Sequence, residues 1–263
     1  FRPTRDLING EEEQEDLAAL RARIEPLVEM FQHKGDAECR NGLEGINGEE
    51  DPHCTFEKMR VGPVEDCGEG TGAAAMIGLG CLSRRDFARS TLLEGLREEA
   101  ELGVNPWRLG LIGGTDTHNG TPGLTEESLQ FPGHLGIDDD SPEERLGYGT
   151  LIPGGALANP GGLVAVWAEE NSRNSLFDSL QRKEVYATSG TRIVLRLFGG
   201  PDLPAGLCDQ QDGVQQADAS GVPMGGSLSG INSSPSFFVT ALADVGTEDH
   251  PGTPLHRIQI VKG

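Results

Sequence analysis

At 263 residues the chain is long enough to bury a core, but 36% hydrophobic and 5% aromatic content, with 38 Gly and 16 Pro, implies long irregular connections. The 42 acidic against 21 basic residues give a formal charge of -21, which argues against nucleic acid or an anionic membrane as partner. No apolar run reaches the roughly 18 residues that a membrane span requires.

Residues 10–25 read as a helix, with Asn9 as N-cap, Glu11 to Glu13 in the first turn, and Leu17, Leu20 and Ile24 on one face. Pro26 ends it. Leu27 to Gln32 then reads as a buried strand running into His33-Lys34-Gly35-Asp36-Ala37-Glu38. Asp36 and Glu38 form an i, i+2 polar pair at a strand's carboxyl end, where barrel enzymes keep their chemistry. The alternative is that both carboxylates are solvated loop residues.

From Arg40 to Gly80 no period is sustained, which predicts one long surface excursion. Four of the five cysteines, Cys39, Cys54, Cys67 and Cys81, fall in or next to it at intervals of 15, 13 and 14. With no C-x-x-C pair, a thiolate zinc site is not indicated. Two disulfides stapling the loop, or free thiols, are both open; disulfides would mean an oxidising compartment. Cys67 to Gly72 mimics a phosphate-binding glycine loop but lacks the preceding strand, the following helix and the lysine. Ser83 to Leu102 is the clearest helix. Ser83 with Asp86 resembles a capping box, Ala88, Leu92, Leu96 and Ala100 form a stripe with Leu93 beside it, and Gly103 stops it.

Arg108 to Ile112 reads as a short buried strand, followed at once by Asp116-Thr117-His118-Asn119. In extended backbone residues i and i+2 point to one side, so carboxylate and imidazole can converge on one ion or one polarised water. Glycines 113, 114 and 120 would keep the approach uncrowded. The alternative is a tight reversal in which Asp116 merely accepts hydrogen bonds. A second long loop spans 121–162. It carries His134, which could reach the Asp116 motif, and an acidic run, Asp138 to Asp140, without the alternation of a calcium loop. Leu163 to Ala168 is the next strand, with Glu169 and Glu170 at its end as pocket-lining or helix-capping acids, and a helix follows from about Arg173 to Arg182 with Leu176, Phe177 and Leu180 inward. After Gly190 the pattern turns to β: Thr191 to Phe198 alternates, 201–230 is punctuated by Gly and Pro, and Ser236 to Ala243 and His256 to Val261 read as further strands.

The stretches Gly110 to Gly123 and Asn159 to Gly190 resemble the C-terminal half of a large, mostly uncharacterised branch of the PHP (polymerase and histidinol phosphatase) superfamily, to which carbaryl-hydrolase-like enzymes are similar. The resemblance implies an α/β fold: the C-terminal part of a distorted (β/α) barrel over residues 1–190, followed by a small antiparallel β-domain over 191–263. It also implies a metal-dependent hydrolase in which zinc, manganese or iron activates water against a phosphoester or an amide or carbamate of a small-molecule substrate. Asp116 and His118 would be metal ligands, Glu38 a ligand or the base, and Asp36, Asn119, His134, Glu169 and Glu170 lower-ranked pocket residues. It favours an apolar residue at position 33, so His33 is expected to be structural. The His-x-His element of the superfamily is absent, and the chain is expected to be a fragment lacking the N-terminal half. Catalytic zinc wants three protein ligands, and this sequence offers two. The alternative is therefore a non-catalytic scaffold or binding domain with a vestigial half-site. The cysteines and the resemblance together favour a periplasmic or secreted location.

Overall fold

The computed structural model describes residues 2–43, 50–58, 65–68, 70, 80–126 and 160–263. Helix α1, Glu11–Ile24, starts one residue later than expected, with Gly10 rather than Asn9 as its N-cap. Its apolar side makes no core face: Ala18 is buried, but Leu20 and Ile24 are exposed. The helix is held instead through Arg21, whose guanidinium lies 4.0 Å from the ring centroid of the buried Trp107 and donates to the Arg2 carbonyl at 2.9 Å.

Strand β1, Leu27–Gln32, pairs in parallel with β3, Gly110–Gly113, from Leu27 opposite Gly110 to Phe31 opposite Gly113, with a bulge at Met30. β2, Gly35–Asp36, turns straight back along β1 with Asp36 opposite Phe31. Gly35 takes φ 96°, a conformation a side chain would disfavour, and this makes the reversal possible. Helix α2, Ala88–Leu102, delivers the chain to β3, preceded by a short 3-10 turn closed by the expected capping box of Ser83 and Asp86, and ended by Gly103.

β4, Leu163–Val166, and β5, Val185–Thr188, pair antiparallel and are joined by α3, Arg173–Arg182. β5 follows β3 in the same direction: a Cβ on Gly110 would lie 3.1 Å from Val185 Cγ2, and one on Gly113 would lie 3.0 Å from the Thr188 carbonyl oxygen. β1, β3 and β5 therefore end at one pole. β6, Val194–Gly200, pairs antiparallel with β7, Val222–Pro223, and β8, Ser236–Leu242. Helix α4, Gly213–Ser220, lies in the β6–β7 connection, and Phe198, Leu207, Ala217 and Phe238 form the core between helix and sheet.

The expected barrel is not what forms. The described strands make sheets of three, two and three strands, and none closes on itself. Barrel closure needs an unbroken parallel ladder from strand to strand. Here β2 folds back antiparallel on the outer edge of β1, and β5 takes β4 as its ladder partner rather than β3. Nor is the C-terminal region a separate antiparallel β-domain. It carries α4 within the Gly- and Pro-punctuated stretch 201–230, and it is fastened to the β4–β5 pair: Trp167 Nε1 donates to the Leu195 carbonyl at 2.9 Å, Tyr186 Oη to that of Ile193 at 2.8 Å, and Arg196 pairs with Glu184 at 2.6 Å. The chain is a mixed α/β protein built on small sheets. Residues 256–261 form no strand, since no strand among the described residues pairs with them; Ile258, Ile260 and Val261 are exposed, and Gln259 reaches Asp51 at 3.2 Å. Among the described residues no helix is long and apolar enough to cross a membrane.

Candidate functional site

The carboxyl ends of β1 and β3 are joined beyond their ladder. The Gly114 amide donates to the Phe31 carbonyl at 2.9 Å and the His33 amide to that of Thr115 at 3.1 Å. This lays the His33-Lys34 turn beside Asp116. The Met30 bulge contributes, because the Met30 carbonyl accepts the Ala37 amide at 2.8 Å from the returning strand, and bulges recur where a strand end is re-aimed beside a site.

Asp116 is the centre. Its backbone sits at φ 50°, in the left-handed region, one of three non-glycine residues with positive φ among those described. Such conformations cost of order 1–3 kcal/mol and concentrate at functional sites, although aspartate tolerates them better than most residues. His33 Nε2 approaches one carboxylate oxygen at 3.5 Å and His118 Nε2 the other at 3.7 Å. The two rings are tilted, their centroids 6.3 Å apart. His33 is buried, whereas the His118 side chain is 65% exposed and faces solvent. The Lys34 ammonium contacts the same Asp116 oxygen that His33 approaches, and also meets His33 Nε2 at 2.9 Å and Gln32 Oε1 at 3.2 Å.

Desolvation raises the Asp116 carboxyl, but the hydrogen bond and charge of Lys34 and the two imidazoles outweigh it and hold it below the ordinary carboxylate range. Glu29, on β1 opposite Ile112, shifts the other way: desolvation and then the Asp116 charge raise it, with Lys34 opposing. Its carboxylate lies where a Cβ on Gly114 would be, 2.4 Å from Oε1. Gly114 thus makes room for Glu29 and Gly113 for the β4–β5 backbone, while Gly120 has open space about it.

The other sequence-predicted residues lie elsewhere. The hairpin at Gly35 carries Glu38 back along β1, where it accepts from Arg89 at 2.6 and 2.9 Å, and Arg89 also holds Asp51. Asp36 is ion-paired with Lys58 and accepts the Glu38 amide at 2.6 Å. Asn119 closes its own turn, Oδ1 accepting from Thr121 N at 3.0 Å and Thr121 Oγ1 at 2.6 Å. Glu169 and Glu170 are exposed, and α3 is capped by Ser172, whose hydroxyl accepts from the Ser175 amide at 3.3 Å. His134 and the Asp138 to Asp140 run lie outside the described residues. Of the named residues, Asp116 and His118 meet. His33, Lys34 and Glu29 join them, and sequence reasoning missed all three. The available signal was His-Lys-Gly-Asp after an apolar strand, which reads as a hairpin apex that keeps 33 and 34 at the strand end and takes 36 and 38 away.

Donor atoms around tetrahedral zinc, bound at about 2.0–2.1 Å, stand roughly 3.3 Å apart. The 3.5 and 3.7 Å separations from Asp116 to His33 and His118 are close to that spacing, so each His–Asp pair fits two positions around a divalent ion. As they stand, no three of His, Cys, Asp or Glu among the described residues are grouped to hold one. The fit is that of a half-site. Beside it, Gly161 packs on Thr115, where a Cβ would come within 2.5 Å of the Thr115 Cα, and it lines a cleft of about 550 Å³ together with Thr125, Ser189, Gly190, Arg192 and Asp244.

Fold and site together define a mixed α/β protein with an aspartate–histidine cluster at the shared carboxyl pole of its aligned strands. The chain matches, over residues 1–263, the family described as "Protein of unknown function (DUF3604)", and it belongs to that family. No curated protein and no solved structure matches it.

Proposed function

We propose that this chain carries the catalytic pole of a metal-dependent hydrolase of the PHP type acting on a small-molecule phosphoester, amide or carbamate. One observation carries the reading: imidazoles approach both oxygens of a single aspartate, itself held in a left-handed backbone, at the end of aligned strands. Asp116 and His118 would hold a divalent ion, with His33 as a third donor. A zinc, manganese or iron ion bound there lowers the pKa of a water and polarises the substrate oxygen. The protein's own part is positional. The β1–β3 link fixes His33, the αL turn fixes Asp116, and His118 faces solvent, where a substrate would enter. Glu29 takes the proton-accepting role that Glu38, bound to Arg89, cannot reach. The two disulfides support a periplasmic or secreted setting for this chemistry.

The test is elemental analysis of chelator-free protein beside Asp116→Ala and His118→Ala, with a phosphodiester and carbamate screen of the metal-bearing form. Stoichiometric metal, lost in both variants, and turnover of one ester class are expected. Background metal in all three proteins overturns the reading. The second reading, a non-catalytic binding domain with a vestigial half-site, draws on the Lys34 ammonium lying against Asp116. It predicts metal at background and no turnover.

A further inference from the structure

The Lys34 ammonium has three N–H donors and meets three polar atoms, one Asp116 oxygen, His33 Nε2 at 2.9 Å and Gln32 Oε1 at 3.2 Å. Two of the three belong to residues that would ligate a metal. Each presents to the ammonium the atom it would present to an ion, since the oxygen is the one His33 Nε2 approaches and Nε2 is the ring atom that the ammonium meets. A tethered cation thus stands between the Asp116 oxygen and His33 Nε2. The turn explains why: Gln32 Oε1 also accepts the Lys34 amide at 3.0 Å, so the residue is gripped at backbone and tip, and its side chain is 22% exposed. We propose that Lys34 is an internal counter-ion of this site that shares one position with the divalent ion, so that ammonium and metal exclude one another. The inference rests on the metal reading above. It accounts for donors that are spaced in pairs as ligands yet do not close into a set of three. A lysine facing a dication a few ångströms away is repelled, and the side chain has an open path to solvent, so loading must swing it out. The freed ammonium, still tethered by Gln32 at its backbone, then lies at the mouth of the site with its donors available to an anionic substrate oxygen.

The experiment titrates zinc and manganese, separately, into chelator-treated wild type, Lys34→Met and Lys34→Ala by calorimetry, with thermal unfolding of each metal-free protein. Relieving a competing ion pair worth about 1.4 kcal/mol tightens binding about tenfold, and that gain is expected in both variants. Metal-free variants should melt lower than wild type and recover on adding metal. Methylammonium, supplied to Lys34→Ala, should restore its melting temperature and weaken its metal binding, a readout that a folding defect would not mimic. Equal affinity in all three proteins, or no effect of methylammonium, overturns the exclusion while leaving the metal site standing. Binding by none of the three overturns the metal reading, and the exclusion with it.

Discussion

Asp116 and Glu29 are neighbours whose titrations move in opposite directions, and this gives each a signed prediction. Asp116 is held low because Lys34 and the imidazoles outweigh desolvation. A depressed carboxylate contributes stability that is present above its unfolded value near pH 4 and is lost as pH falls through the lower folded value. Asn tolerates the left-handed backbone as Asp does, so Asp116→Asn isolates the charge. Metal-free Asp116→Asn should unfold more easily at pH 7, by under about 1 kcal/mol given the solvent exposure of the pair, with the gap closing in acid. Glu29 is raised, first by desolvation and then by Asp116, so its ionised form opposes folding as pH climbs above about 4. Metal-free Glu29→Gln should melt higher than wild type at neutral pH and no higher below pH 4. Melting curves of both variants across pH check the two signs. Equal pH responses would mean that the two carboxylates do not sense each other and Lys34 as the geometry requires.

At the scale of the element, α2 shows what periodicity can and cannot say. The Ser83–Asp86 box and the stop at Gly103 were legible because they depend on local chemistry, but the helix expected from Ser83 begins only at Ala88: the box closes a separate 3-10 turn, Arg84–Asp86, and Phe87 breaks the run in extended conformation. β1 and α3 were read to the residue for the same reason. The buried face of α2 was not legible. The apolar stripe is largely exposed, Leu96 at 51%, and the helix instead turns Thr91, Glu94, Gly95 and Glu98 inward. A buried carboxylate looks wrong until its partners are known. Glu98 accepts the Thr4 amide at 2.6 Å and the Thr4 hydroxyl at 2.7 Å, and Glu94 pairs with Arg5 at 2.5 Å, contacts some ninety residues apart in sequence. Glu98→Ala should therefore cost about 1–3 kcal/mol by stranding two buried donors. Leu96→Glu should stay within about 0.5 kcal/mol. Gly95→Ala should destabilise as well, because its Cβ would fall 2.3 Å from Asn105 Oδ1 and 2.7 Å from Trp107 Cβ. Denaturant unfolding of the three variants ranks them; a Leu96→Glu that cost more than Glu98→Ala would reverse the assignment of the helix face.

For the whole molecule, the distance between sequence and structure comes from two kinds of long-range closure. One is topological: an apolar strand, a loop, a helix and another strand fit a barrel locally, and only the hairpin at Gly35 and the β4–β5 pairing decide otherwise. The same hairpin takes Asp36 and Glu38 away from the strand end, and at Asp116 the backbone is left-handed rather than extended, so the i, i+2 premise describes neither pair. The other closure is covalent. Cys39 joins Cys54 and Cys67 joins Cys81, with Cα separations of 5.3 and 5.1 Å, each cysteine taking its sequence neighbour in a segment too poor in apolar residues to hold itself by burial. Each closes a loop of about fifteen residues, worth about 3 kcal/mol of denatured-state entropy. Their consequences for the site differ. The first staple follows Glu38 directly and holds Phe56 6.1 Å from Phe31, the Glu57 carbonyl on the Asp36 amide at 2.8 Å, and Lys58 against Asp36. It therefore braces β2 and, through the hairpin, the His33-Lys34 turn. The second ties Cys67 to the segment before α2, near Leu82 of the small Leu43, Leu82 and Phe87 cluster. Removing either pair by Cys→Ala at both positions should lower stability by about 3 kcal/mol. Opening the first alone should also weaken the proposed metal binding at Asp116, because the turn that presents His33 loses its support while the native state persists. Calorimetric titration of the two double variants separates the cases, and equal metal affinity in both would show that β1 and β3 hold the turn without help from the staple.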